Sequence, residues 1–161
     1  MKRTINNDEY VNKQENKASV YLNKLNELNN WFYFIIQTKD KYNSIDFKAI
    51  STKEYYCDIE IKIRNTDATK YDTIMIDEHK YNELMNGKSD KSYYIQYMID
   101  DSKFWIVNIK KLREDDIIKD TRTIHHTQGA IYDDLKYFIP TQMGDIFEYN
   151  NNKNKYVKTN G

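Results

Sequence analysis

Three side chains in the first half of the chain have the types and spacing that hydrolytic metal chemistry requires. Asp46 sits in Ser-Ile-Asp-Phe, and Glu60 and Lys62 stand two apart in Tyr-Tyr-Cys-Asp-Ile-Glu-Ile-Lys-Ile-Arg, residues 55–64. Two carboxylates at one edge of a sheet can hold a hard cation such as Mg²⁺ or Mn²⁺, with the Ile61 carbonyl as a further oxygen ligand. A cation held there makes a bound water a nucleophile near neutral pH and relieves charge on a pentavalent phosphorus transition state. Lys62, on the same face as Glu60, would orient or help deprotonate that water and offset phosphate charge. The chemistry open to this set is phosphodiester hydrolysis.

Positioning these groups is a matter of strand parity. Side chains alternate faces along a strand, so Cys57, Ile59, Ile61 and Ile63 point one way and Asp58, Glu60, Lys62 and Arg64 the other. Residues 44–50 alternate in the same way, with Ile45, Phe47 and Ala49 opposite Asp46 and Lys48. The short polar segment 51–54 makes the two strands antiparallel neighbours, and in register Asp46 and Glu60 share a face. Upstream, Ala18, Tyr21, Leu22, Leu25 and Leu28 recur at helical steps and predict an amphipathic helix over 14–29. Residues 31–37 form an aromatic and β-branched run expected as a buried strand, followed by a turn over 38–43. Residues 65–70 read as a loop without apolar anchors and 72–76 as a short strand. Asp77 is placed to cap a helix over 78–85, and Gly87 to end it. Two strands, 92–99 and 103–109, flank the hairpin signal Asp100-Asp101-Ser102. Beyond them a helical turn within 110–119, a strand over 121–127 and a segment of mixed period over 131–139 are expected, with Pro140 ending the last.

Composition sets the frame. A chain of 161 residues suits one domain, with a polar arm or frayed helix start over about 1–13 and an Asn/Lys-rich, mobile tail over about 150–161. Fifteen tyrosines with few glycines and one proline describe a folded chain. Twenty-five basic residues balance twenty-five acidic ones, which argues against a sequence-blind polyelectrolyte binder but permits a local basic patch. The lone Cys57 excludes a disulfide framework and a CxxC zinc site. With a mean hydropathy of −0.92 and no long apolar run, no membrane partner is expected. A cytoplasmic setting in a bacterial or phage-infected cell, or a virion, fits this composition.

The order helix, three strands, helix, strand, with Asp46 on the second strand and Glu60-Ile61-Lys62 on the third, resembles the PD-(D/E)xK nuclease superfamily. Ile45 stands where the family motif has proline. The resemblance covers about residues 15–109. It implies an α/β (α+β), restriction-endonuclease-like αβββαβ core, a central mixed sheet flanked by helices, here with extra C-terminal strands. It implies Asp46, Glu60 and Lys62 as catalytic residues and Asp46 and Glu60 as ligands of Mg²⁺ or Mn²⁺. Glu15, on the first helix, joins the metal shell better than Glu27 because Ala18 and Leu22 follow it at helical spacing. Lys80 is a phosphate contact by the same resemblance, with Arg64 and Lys70 as further cations along a nucleic-acid path. The implied activity is endonucleolytic hydrolysis of DNA by a homodimer. The alternative on the same scaffold is a catalytically inactive adaptor, or a phage structural or host-takeover protein, that binds nucleic acid or protein.

Plainer roles stand beside these. An exposed strand face carries cross-strand ion pairs of small energetic value, and Asp46, Glu60 and Lys62 could be no more than that. Asp58 reads as a charge at the start of its strand and Cys57 as a small core residue. His125 and His126, adjacent on a strand, point to opposite faces and do not share one ion easily. His79 reads as a helix-surface residue. The tyrosines serve packing, or base stacking.

Overall fold

The computed structural model describes residues 7–38, 45–125 and 131–160, without the side chains of 7–11, 122–125 and 131–134. The expected turn over 38–43 lies mostly outside these residues, as do His126 and the start of the arm. The chain runs α1 (Asn7–Asn29), β1 (Phe32–Gln37), β2 (Phe47–Ser51), β3 (Tyr56–Arg64), β4 (Thr73–Asp77), α2 (Glu78–Asn86), β5 (Lys91–Met98), β6 (Lys103–Asn108), β7 (Ile118–His125), β8 (Ile131–Pro140), β9 (Asp145–Asn150) and β10 (Lys155–Lys158). This is a mixed α/β architecture with two helices and a large mixed sheet, of the α+β kind.

Seven strands form that sheet in the order β1-β2-β3-β5-β6-β9-β10, and β4-β8-β7 form a second, smaller one. Strands β1, β2 and β3 are an antiparallel meander, whereas β3 and β5 are parallel, with Asp58 opposite Ser92, Glu60 opposite Tyr94 and Lys62 opposite Gln96. A parallel pair needs a crossover, and β4 and α2 supply it.

Strand parity sorts the core into two halves. Cys57, Ile59, Ile61, Ile95, Tyr97, Phe104 and Ile106 pack with Ala18, Tyr21, Leu22 and Leu25 of α1. From the opposite face Tyr94, Met98, Trp105 and Val107 pack with Tyr81 and Leu84 of α2 and with Ile74, Ile76, Tyr137 and Ile139 of the small sheet. The central strands are therefore covered on both faces, which is why β5 and β6 read as near-continuous apolar runs. Gly144 permits the closest approach in this second half, because a Cβ there would overlap the Trp105 indole, whose Nε1 donates to the Thr141 carbonyl at 2.8 Å.

Asparagines at the end of α1 bind the sheet to the helix. The Asn26 amide brackets Phe32, donating to its carbonyl at 3.0 Å and accepting from its N–H at 2.7 Å. Asn29 treats Tyr156 of β10 in the same way, at 2.9 and 3.0 Å. Asn30 turns the chain out of the helix at φ 52, a left-handed conformation that asparagine tolerates.

Several expectations need correction. Helix α1 includes residues 7–13, so most of the expected arm is helical. Strand β1 is not buried: it is an edge strand in which Tyr33, Phe34 and Ile36 are exposed, because an apolar run reports propensity and not its place in the sheet. The 65–70 loop does hold an apolar anchor, since Ala68 is buried at the start of a 3-10 turn. Residues 150–161, expected as a mobile tail, contain β10, whose Tyr156 is only 2% exposed. The helical turn expected within 110–119 is present, as a 3-10 turn over Glu114–Asp116 that follows another over Ile109–Lys111.

Candidate functional site

Strand pairing brings Asp46 to Glu60. The β2–β3 ladder ends at Phe47 opposite Ile59, and Asp46 lies one residue beyond it. Its main chain is held by Thr38, whose N–H and hydroxyl donate to the Asp46 carbonyl at 2.9 and 3.0 Å. Its side chain then takes the ladder's next donor, with Oδ2 accepting from the Ile61 N–H at 3.0 Å. That bond fixes the Asp46 carboxylate against β3, one residue from Glu60.

Glu60 faces the α2 layer and is 7% exposed. Its Oε1 accepts from Lys80 Nζ, in the first turn of α2, at 3.1 Å, while its Oε2 is buried with no hydrogen-bond partner. An unsatisfied buried carboxylate oxygen is costly, and its environment shows in the acidity. Burial, and then the neighbouring Asp46 carboxylate, push Glu60 from its ordinary 4.5 up to about 8, against the pull of Lys80 and Lys62. Burial also raises Asp46, opposed by the Ile61 N–H and by Lys80. Lys62 is displaced the other way: desolvation and then Arg64 lower its ammonium, against Asp77 and Glu60. Two carboxyls that hold protons too tightly share a sheet face with Lys62, an exposed lysine that holds its own proton too loosely, a pattern that clusters at functional sites.

Two ion pairs support this centre. Asp77, at the junction of β4 and α2, was expected as a helix cap but makes no side-chain cap bond; it accepts from Lys136 of β8 instead. Burial works against its ionised form, yet the Lys136 hydrogen bond and charge keep its pKa below the ordinary carboxylate value. Asp58 is 1% exposed and paired with Lys48 at 3.0 Å, so it is no surface charge at a strand start. The end of α2 lies so close that a Cβ at Gly87 would sit 2.7 Å from Asp58 Oδ2. Ser92 and Gln96 complete a buried polar row on the same face, and the Ser92 hydroxyl has no partner.

The remaining predicted residues are placed differently. Glu15 is exposed on α1, which packs on the face of β3 opposite to Glu60. Among the described residues no three Asp, Glu, His or Cys side chains form one ion-holding group, so Glu15 is not gathered with the pair. Lys80 neighbours Glu60 and is not simply presented to solvent as a phosphate contact. Arg64 ends β3 and lines a groove of about 360 Å³ with Thr66, Tyr71 and Gln96. Lys70 is exposed on the 3-10 turn after β3. Sequence reasoning missed Lys136 and the buried standing of Asp58. The signal available was the spacing of Ser92 and Gln96, polar residues at even steps in an apolar strand, which marks a polar layer under α2.

No protein-family model matches the chain, and no curated protein is recognisably similar to it. No helix among the described residues is long and apolar enough to cross a membrane.

What the arrangement can do follows from its donors. Asp46 and Glu60 offer two neighbouring oxygen-donor carboxylates, and this donor set suits a hard divalent cation.

Proposed function

We propose that this chain is a metal-dependent endonuclease that hydrolyses DNA phosphodiesters by attack of an activated water. The observation that carries the reading is the buried Glu60 carboxyl packed against the half-buried Asp46 carboxyl, on the sheet face that also carries Lys62. The connectivity supports it: a helix, a β1-β2-β3 meander, and a helix-bearing crossover to the parallel β5 correspond to the order of a PD-(D/E)xK core, with β4 inserted.

In this reading Asp46 and Glu60 hold Mg²⁺ or Mn²⁺. The bound cation supplies Lewis acidity and charge neutralisation at the scissile phosphate. Lys62, as its neutral amine, orients the attacking water and accepts its proton, a form that its lowered pKa favours. The water oxygen bonds to phosphorus as the bond to the leaving oxygen breaks, and that oxygen takes a proton from solvent water. Arg64 and Lys70 contact flanking phosphates, and Lys80 adds positive charge beside Glu60. The homodimer that would address both DNA strands can form through β1, an edge strand without a charged residue. The opposite edge, β10, carries Lys155 and Lys158.

Calorimetric titration of the purified protein with Mn²⁺ tests the site. The native chain takes up the ion and the Glu60→Gln variant does not; equal heats from both would remove Glu60 from the ligand set.

One observation favours a second reading, an inactive nuclease-like adaptor that binds nucleic acid or protein. Lys80 Nζ already occupies Glu60 Oε1 at 3.1 Å, and Glu15 stands apart. Absence of Mn²⁺ binding by the native chain would select it.

A further inference from the structure

A second groove lies away from the carboxylates. It has a volume of about 480 Å³ and opens where β3 and β5 begin and β6 ends. Its position along the sheet follows from the β5 register: Glu60 is opposite Tyr94, three residues from the groove's Lys91, or about 10 Å. Tyr93 and Tyr94 alternate in direction, so the groove and the carboxylate pair use opposite faces of β5.

Two kinds of side chain line it. Trp31, Tyr55 and Tyr93 supply aromatic surface, and Lys53, Lys91 and Lys111 supply positive charge. Trp31 is half-buried, braced edge-on by Phe147 at 5.1 Å, and Tyr55 is 41% exposed with the Lys91 ammonium 4.2 Å from its ring centroid. Burial drives the Tyr93 phenol up to about 12, so it is neutral in the groove wall. Lys53 and Lys111 are exposed and have no ion-pair partner among the described residues. The lining carboxylate Asp145 is paired with Lys158 at 2.8 Å. In a chain of zero net charge, a locally cationic and aromatic groove is a departure from the average surface.

We propose that this groove binds a single-stranded nucleic-acid segment, with phosphates on the three lysines and bases against the aromatic rings. Aromatic surface beside tracking cations is how strands are held without sequence preference, because every base has a π-face. A duplex keeps its base faces stacked and cannot use Tyr55 or Trp31. The groove requires a nucleic-acid ligand but not that the chain cut it, so it can stand or fall apart from the nuclease reading.

The probe is fluorescein-labelled oligo-dT of fifteen nucleotides in EDTA, followed by anisotropy and by quenching of Trp31. The other tryptophan, Trp105, is fully buried and serves as the silent background. The native protein binds with quenching and a log–log salt slope of about −2, the value for three single-strand phosphate contacts. The Lys53→Ala/Lys91→Ala/Lys111→Ala variant loses that slope and binds at least about tenfold more weakly in low salt. Tyr55→Ala weakens binding at least about fivefold with the slope kept. Glu60→Gln binds within about twofold of native, since it lies on the other face. Native-like binding by the triple variant, equal competition by duplex, or no quenching would each overturn the proposal. Loss of cleavage in Glu60→Gln with native binding separates the groove from the metal site, and loss of binding in that variant refutes their independence.

Discussion

Replacing Glu60 by glutamine keeps its shape and removes its charge, and the consequence depends on pH in a direction the structure fixes. Glu60 has a folded-state pKa of about 8 against an ordinary 4.5, caused first by burial and then by Asp46. The unfolded chain therefore releases this proton at lower pH than the folded chain. Stability from this group is complete below about pH 4.5, falls as pH rises towards 8, and is level above that. The full displacement corresponds to at most about 5 kcal/mol, and coupling to Asp46 and Lys80 makes this an upper bound. In the metal-free protein, urea unfolding followed by far-UV circular dichroism should show the native chain losing stability between pH 5 and pH 9. Glu60→Gln should be within about 1 kcal/mol of native at pH 5 and more stable by about 2–5 kcal/mol at pH 9. A native curve flat across this range, or a glutamine variant with the same slope, would show that Glu60 is ionised throughout and refute the description of the site.

Other substitutions test other parts of the account. Gly144→Ala drives a methyl into the fully buried Trp105 ring and should cost about 1–3 kcal/mol in urea unfolding. Tyr156→Ala should cost about 3 kcal/mol or more if β10 is an integral strand; a change below about 0.5 kcal/mol would restore the view of residues 150–161 as a tail. Phe34→Lys, on the uncharged edge strand, should turn a dimer seen by sedimentation velocity into a monomer without changing the circular dichroism. A native protein that is monomeric at high concentration would remove the edge as an interface.

How much was legible in the sequence follows from what parity can and cannot say. Alternation over 44–50 and 55–64, with a short polar connection, was enough to bring Asp46 to Glu60, because both strands and their turn are contiguous. It could not show that the charged face is covered. The cover comes from β4, α2 and β8, and its key ion pair joins Asp77 to Lys136, 59 residues apart. The same limit hid the edge position of β1, since Phe-Tyr-Phe-Ile-Ile suits a central strand and an edge equally. In 150–161 the abundance of Asn and Lys masked Tyr156, whose partner Asn29 is 127 residues away. Glu15 follows from the family resemblance, with helical spacing preferring it to Glu27, and spacing along α1 does not say which face of the sheet the helix covers.

The central claim is most directly tested by cleavage of supercoiled, linear and four-way-junction DNA in Mg²⁺ or Mn²⁺ by the native chain and by Asp46→Asn, Glu60→Gln and Lys62→Ala. The account predicts metal-dependent nicking or cutting of at least one substrate by the native protein and a loss of at least about a hundredfold in each variant, with folding retained. Cleavage that survives in Glu60→Gln and Lys62→Ala, or no cleavage by a native protein that binds Mn²⁺, would contradict it.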